Sequence, residues 1–179
     1  MTRTALPDYV ARGLRVVICG TAAARDSAGI GHYYAGPGNA FWQLLWESRI
    51  IGEPLSPLSD SQILRFGVGL TDLAKAAVAS TDRGLRGFDV PAFIDKMAHY
   101  EPAWIAFHGK RGAEEVSRHI GAGRDVALGV QSWSVADHPV FVLPSASGSN
   151  RNAARLEGKG SRREWFSELK RLLPPMPKR

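Results

Sequence analysis

Short, densely apolar runs alternate along this chain with amphipathic stretches, and glycine or proline stands at almost every change between them. Leu14-Arg-Val-Val-Ile-Cys19, closed by Gly20, reads as a strand covered on both faces. Gly67–Leu73, Trp104–Phe107 and Val140–Leu143 repeat that reading, the first weakened by glycines that let another backbone or a ligand come close. Between them, Phe41, Trp42, Leu44, Leu45 and Trp46 fall at helical spacing behind Asn39 as a cap, with Gly52 and Pro54 as the stop. Ser59-Asp-Ser-Gln62 has the form of a capping box for a short helix through Leu64. Asp89 and Pro91 open a helix that carries Phe93, Ile94 and Met97 and ends before Pro102. Gly109-Lys-Arg-Gly112 leads into another, bearing Val116 and Ile120 and closed by Gly121. Ser161-Arg-Arg-Glu164 is a capping box before Trp165, Phe166, Leu169 and Leu172. Strands alternating with helices in this way predict an α/β fold with a mostly parallel sheet covered on both faces, its ligand site in the loops beyond the carboxyl ends of the strands.

Composition narrows the picture. A chain of 179 residues predicts one domain over 1–179, with the proline-rich basic end 174–179 frayed. The apolar share of 44% excludes wholesale disorder, and no apolar run is long enough for a membrane span, so no membrane partner is expected. Met1–Asp8 has no apolar core of a signal peptide, and the lone Cys19 can form neither an internal disulfide nor a thiolate metal cluster; both point to the cytoplasm. The net charge of +6 comes entirely from residues 151–179, where nine basic side chains face three acids. Such a basic stretch suits a phosphate polymer, or is a solvated terminus.

Three loops after strands are chemically unusual. The first, from Gly20 to Pro37, has little bulk until His32, Tyr33 and Tyr34, so it can bring backbone amides and an aromatic ring against a planar ligand. Gly109-Lys-Arg-Gly112 is short and basic. Pro144-Ser-Ala-Ser-Gly-Ser-Asn-Arg151 gathers hydroxyls, an amide and a guanidinium, a composition that grips phosphates.

The blocks Leu6–Gly20, Ser27–Trp42, Gly67–Leu73, Phe107–Lys110 and Leu143–Arg151, in that order, resemble the mismatch-specific uracil/thymine DNA glycosylases of the uracil-DNA glycosylase superfamily. The resemblance implies a three-layer α/β/α sandwich around a four-stranded, mostly parallel sheet, no metal and no cofactor. It further implies a monomer that acts on uracil in duplex or single-stranded DNA by flipping the base out, and that releases free uracil and leaves an abasic site. Carried over residue by residue, it makes Tyr34 the ring that stacks on the extruded base, with Thr21, Ala22, Asn39 and Thr71 as further base contacts. Ser147, Gly148, Ser149, Asn150 and Arg151 become the segment that enters the minor groove, and Lys110 and Arg111 phosphate contacts.

One position departs from the family. Relatives carry Asn or Asp two residues after the glycine that ends the first strand, to place the attacking water; here that residue is Ala22. Cleavage through an oxocarbenium-like sugar still needs negative potential, a placed water and donors to the leaving base. Asp26, in the same loop, is the nearest carboxylate able to supply the first two, or is a turn stabiliser. His108 and Ser145 are the expected polar partners of water or base. Asp72 is read either as an alternative carboxylate or, in preference, as a cap on the turn that follows it. Two other functions remain open on the sequence: a module that grips uracil or abasic DNA without cutting, and an α/β enzyme of free nucleotides.

Overall fold

A computed structural model of the chain describes residues 5–78, 85–148 and 157–178. Its sheet comprises β1 (Val16–Gly20), β2 (Val68–Asp72), β3 (Ile105–His108), β4 (Gly129–Val135) and β5 (His138–Leu143) in the order β2-β1-β3-β5-β4. Four of these run parallel, and β4 pairs antiparallel with β5 at the edge. The expected architecture holds, with five strands instead of four. The extra strand comes from a hairpin whose turn residues, Ala136 and Asp137, both have positive φ (48° and 65°). That turn geometry normally advertises itself through Asn-Gly or Asp-Gly, and neither is present.

The helices are α1 (Arg25–Ile30), α2 (Phe41–Glu47), α3 (Val90–Tyr100), α4 (Lys110–His119) and α5 (Arg162–Leu172), with a 3-10 segment over Pro57–Phe66. Strand alternation sorts the core in two. Val16, Ile18, Val68, Leu70, Ala106, Phe141 and Leu143 meet α2, the 3-10 segment and α5 on one face. Val17, Cys19, Ile105, Phe107, Val140 and Val142 meet α3 and α4 on the other.

Several boundaries move for visible reasons. α2 stops at Glu47, well before Gly52, because the Ser48 hydroxyl donates back to the Leu44 carbonyl at 2.7 Å and Arg49 takes a left-handed φ of 60°. Ser59 has non-helical φ/ψ at the kink where two 3-10 stretches join, so a short helical stretch does follow it, but its hydroxyl pairs with Ser56 and forms no capping box. Asp89 and Ser161 do cap α3 and α5, accepting from the amides of Ala92 and Glu164.

The chain end from 174 onward, expected to fray, is fastened at its start. Arg15, 4% exposed, donates Nε to the Pro174 carbonyl at 2.6 Å and Nη1 to the carbonyls of Ile50 and Phe66 at 3.1 and 2.9 Å. Met176 and Pro177 lie over Gly52 and Gly67. Arg15→Ala therefore strands three carbonyls and frees the C-terminal segment. A loss of about 3 kcal/mol is expected, read as a lower urea midpoint with an unchanged slope.

Candidate functional site

At the carboxyl ends of the central strands, three residues of the α2/α5 face come together by register and alternation. Gly20 pairs with Asp72 across β1 and β2, and His108 ends β3 beside Leu143 of β5. Gly20 continues the row of Val16 and Ile18, Asp72 that of Val68 and Leu70, and His108 that of Ala106. Thr71 lies on the opposite face. Its hydroxyl donates to Asp8 at 2.6 Å and accepts from Lys96 of α3, so the sequence-based assignment of Thr71 to the base contacts is corrected by the alternation of β2.

Tyr34 closes this corner. Its ring stacks on Phe41 at 3.7 Å between centroids and meets the His108 ring edge-on at 4.8 Å, while its backbone sits at φ 53°, a conformation that L residues adopt at a cost. The hydroxyl points to the root of the first loop. A methyl on Gly20 would lie 2.4 Å from Asp72 Oδ1 and 3.2 Å from the Tyr34 hydroxyl, so only glycine leaves room for the two groups there. The Tyr34 hydroxyl is buried and makes no hydrogen bond among the described residues. Asp72 is 5% exposed and its carboxylate likewise accepts none. Burial raises its pKa from 3.8 to about 6, with the nearby Asp8 adding to the rise and Lys75 and Lys96 opposing it. The preferred reading of Asp72 as a cap fails: the amides of Leu73 and Ala74 are taken by the carbonyls of Gly20 and Thr21.

His108 is nearly buried, and its Nε2 accepts the Ala146 amide at 2.8 Å. That bond puts the ring proton on Nδ1. Burial, reinforced by the charge of Arg162, depresses the pKa to about 3, so the imidazole is neutral at physiological pH and can donate without carrying charge. Ala146 also anchors the other side, its carbonyl accepting from Ala40 at 3.0 Å. Gly38 and Gly148 meet backbone to backbone; a methyl on Gly148 would fall 2.8 Å from the Gly38 carbonyl oxygen. The loops after β1 and β5 thus close on each other, and Ser145, half-buried beside Gly109, accepts from the Ser147 amide at 3.3 Å.

The remaining sequence-based candidates separate. Thr21 is buried and Ala22 half-buried at the start of the first loop. Asn39 Oδ1 accepts the Phe41 amide at 3.0 Å and so tethers the start of α2. Asp26 is exposed on the first turn of α1, a helix where the sequence pattern predicts a loop, with its carboxylate against Gly36. Tyr33 and His32 are engaged in holding the loop: the Tyr33 hydroxyl donates to the Pro7 carbonyl at 2.9 Å, and His32 Nδ1 lies 3.1 Å from Asp60, a carboxylate that also accepts the Tyr33 amide. Lys110 is paired with Glu157, and Arg111 with Glu115 at 2.5 Å. Ser147 and Gly148 are half-buried at the loop junction, while Ser149, Asn150 and Arg151 lie outside the described residues. Among the described residues, the basic side chains of the C-terminal stretch do not form one patch. Arg162 reaches the Ser147 carbonyl, Lys159 pairs with Glu168, and Lys170 and Arg171 sit on the last turn of α5, at the end where Pro174 meets Arg15.

The model of the uracil DNA glycosylase superfamily matches residues 7–171. The chain belongs to that superfamily. A solution NMR structure of a protein from Methanosarcina acetivorans, which carries a provisional uracil DNA glycosylase assignment, superposes with a TM-score of 0.61 at 22% identity, covering 96% of this chain and 98% of that one. At this identity the likeness speaks for the fold. Within the superfamily fold, the corner of Gly20, Tyr34, Asp72 and His108 is what this chain sets at the carboxyl ends of its strands. Asp72 is the member that the sequence ranks as a cap ahead of a pocket carboxylate, although its parity with Val68 and Leu70 points to the pocket.

Proposed function

We propose that this protein is a uracil-DNA glycosylase of the mismatch-specific type, working without metal or cofactor as a cytoplasmic monomer. The observation that carries the reading is the buried Tyr34 hydroxyl, which has no hydrogen-bond partner among the described residues, set beside the nearly buried Asp72 carboxyl where the strand-end loops close. Buried polar groups without partners are costly, and a site awaiting a ligand is where that cost is offset. Depth decides what they read. The sugar and phosphates of an extruded nucleotide stay at the mouth, so the atoms reaching a group that is 5% exposed belong to the far edge of the base.

Uracil presents there a carbonyl acceptor next to an N–H donor. A neutral carboxyl offers the complementary donor and acceptor, and the raised pKa of Asp72 keeps it neutral in the acid range. Tyr34 supplies the aromatic platform, and Thr21, Ala22 and Asn39 line the first loop around it. His108, neutral with Nδ1–H, donates to a uracil oxygen as the C1′–N1 bond breaks and its electron pair moves to the base. Water adds to C1′ and gives up its proton; Asp26, exposed on the first turn of α1 just beyond Ala22, takes the carboxylate role that Ala22 leaves open, with Ser145 as a water contact. Lys110, Arg111 and the segment Ser147–Arg151 hold the flanking DNA, in duplex or single-stranded form.

Single-turnover incubation with a uracil-containing duplex is expected to yield free uracil and alkali-labile abasic strand. Asp26→Asn should slow that step by about 100-fold or more, with abasic-duplex affinity retained. Tight binding of abasic DNA with no uracil released would instead make the protein a binding module. Full activity in Asp26→Asn would move the water role to Ser145 or backbone groups.

A further inference from the structure

A second concave surface lies on the other face of the sheet and shares only Arg111 with the site above. Arg86, Phe88, Arg111, Glu115, Arg118 and His119 line a cavity of about 720 Å³ between the segment preceding α3 and the outer face of α4. The α4 members recur at helical spacing and therefore share one side of the helix. Glu115, 7% exposed, is clasped by Arg111 at 2.5 Å and by Arg118, and the Arg111 guanidinium lies over the Phe88 ring at 5.1 Å. One carboxylate thus orients two guanidinium groups without neutralising the groove, since Arg86 adds a third.

The placement is informative. Gly109, ahead of α4, is tied to Leu143 at the end of β5, and Asp89, ahead of α3, to Leu73 just after β2. Both helices therefore begin on the rim that carries the candidate site, and the groove opens onto that rim from the sheet's other face. From Arg111 it runs seven residues along α4 to Arg118, about 10 Å by helix rise.

We infer that this groove binds phosphate groups of the DNA backbone beyond the nucleotides at the base slot, as a second, sequence-independent contact; the identity of the polymer rests on the glycosylase reading. Guanidinium forks match phosphate oxygens in pairs, and forks already held by Glu115 lose little freedom on binding. A free nucleotide offers the same phosphate chemistry, so the test must tell the two apart.

The decisive variant is Arg86→Gln combined with Arg118→Gln, two exposed side chains whose loss leaves Glu115 paired with Arg111. Lys170→Gln with Arg171→Gln, on the far rim, is the charge-matched control. Affinity is measured against salt on uracil-containing duplexes of about 10 and about 30 base pairs, one and three helical turns. The groove variant should bind the long duplex about 10-fold more weakly, with a salt slope shallower by about 1–2, and the short duplex as wild type does. The control should match wild type on both. Equal affinity and slope for the groove variant on the long duplex overturns the inference. So does loss of nucleoside monophosphate binding in that variant with its DNA affinity intact, which would assign the groove to free nucleotides. If wild type releases no uracil and the length-dependent loss persists, the groove stands and the glycosylase reading falls.

Discussion

Asp72→Asn is expected to abolish the alkaline decline of uracil excision and to stabilise the fold at the same time. The wild-type carboxyl, raised to about 6, is neutral below that value and ionised above it. Ionised, it sets a negative charge against the carbonyl of the bound base and against the departing uracil anion. Single-turnover excision by the wild type should therefore fall by about tenfold per pH unit above about pH 6, in proportion to the neutral fraction. An amide keeps donor and acceptor at every pH, so the variant's profile should be flat there and its rate at about pH 8 higher than that of wild type. Asp72→Leu, which offers neither, should lose about 100- to 1,000-fold throughout.

Stability follows the same proton in the same direction. Because the folded pKa exceeds the unfolded value, the folded state holds the proton more tightly between 3.8 and about 6, so stability declines as pH rises through that window and stays lower above it. A displacement of about 2 units corresponds to about 3 kcal/mol. Asp72→Asn should recover a gain of that order at about pH 8 and little at about pH 4, seen as a higher urea midpoint only on the alkaline side. Parallel pH profiles for wild type and variant would remove Asp72 from the slot. Lys75 and Lys96, which oppose the rise, and Asp8, which adds to it, remain in both proteins and cannot produce the difference.

How far the sequence foretold this corner depends on which physical signal each residue carried. The parallel strands were legible because β-branched apolar runs bounded by glycine have few other readings, and α3 and α5 because Asp89 and Ser161 cap them as their spacing requires. The β4–β5 hairpin was hidden: its positive-φ turn is built from alanine and aspartate, and of the seven β4 residues three are exposed and two more only half-buried. Within the site, glycine and aromatic content marked the first loop, but nothing local separates a residue that works from one that braces. Tyr33 and Tyr34 are neighbours of the same type; one hydroxyl is spent on Pro7, the other points unpaired at Gly20. Thr71 and Asp72 are likewise neighbours, and strand parity alone sends one to Asp8 and the other to the slot. That parity was available from the sequence, since Val68 and Leu70 share it with Asp72, but the capping propensity of aspartate outweighed it in the reading.

Tyr34→Phe and Tyr34→Ala should separate recognition from structure at the other half of the pair. Removing only the hydroxyl relieves a buried group that has no partner, so Tyr34→Phe is expected to stabilise the free protein by about 1 kcal/mol while lowering uracil excision about 5- to 10-fold. A residue whose deletion improves the fold and impairs the reaction is held for its ligand. Tyr34→Ala removes the platform as well. Stacking of a base on an aromatic ring is worth about 1–3 kcal/mol, so excision should fall about 10- to 100-fold, and the void left against Phe41 and His108 should cost about 3 kcal/mol of stability. Abasic DNA distinguishes the two losses, because it presents no base to stack. If Tyr34 touches the base, Tyr34→Ala binds an abasic duplex as wild type does and loses affinity only for the uracil-containing one. Equal losses on both duplexes would mean that the ring merely braces the first loop against α2, and the slot would then have to be drawn without it.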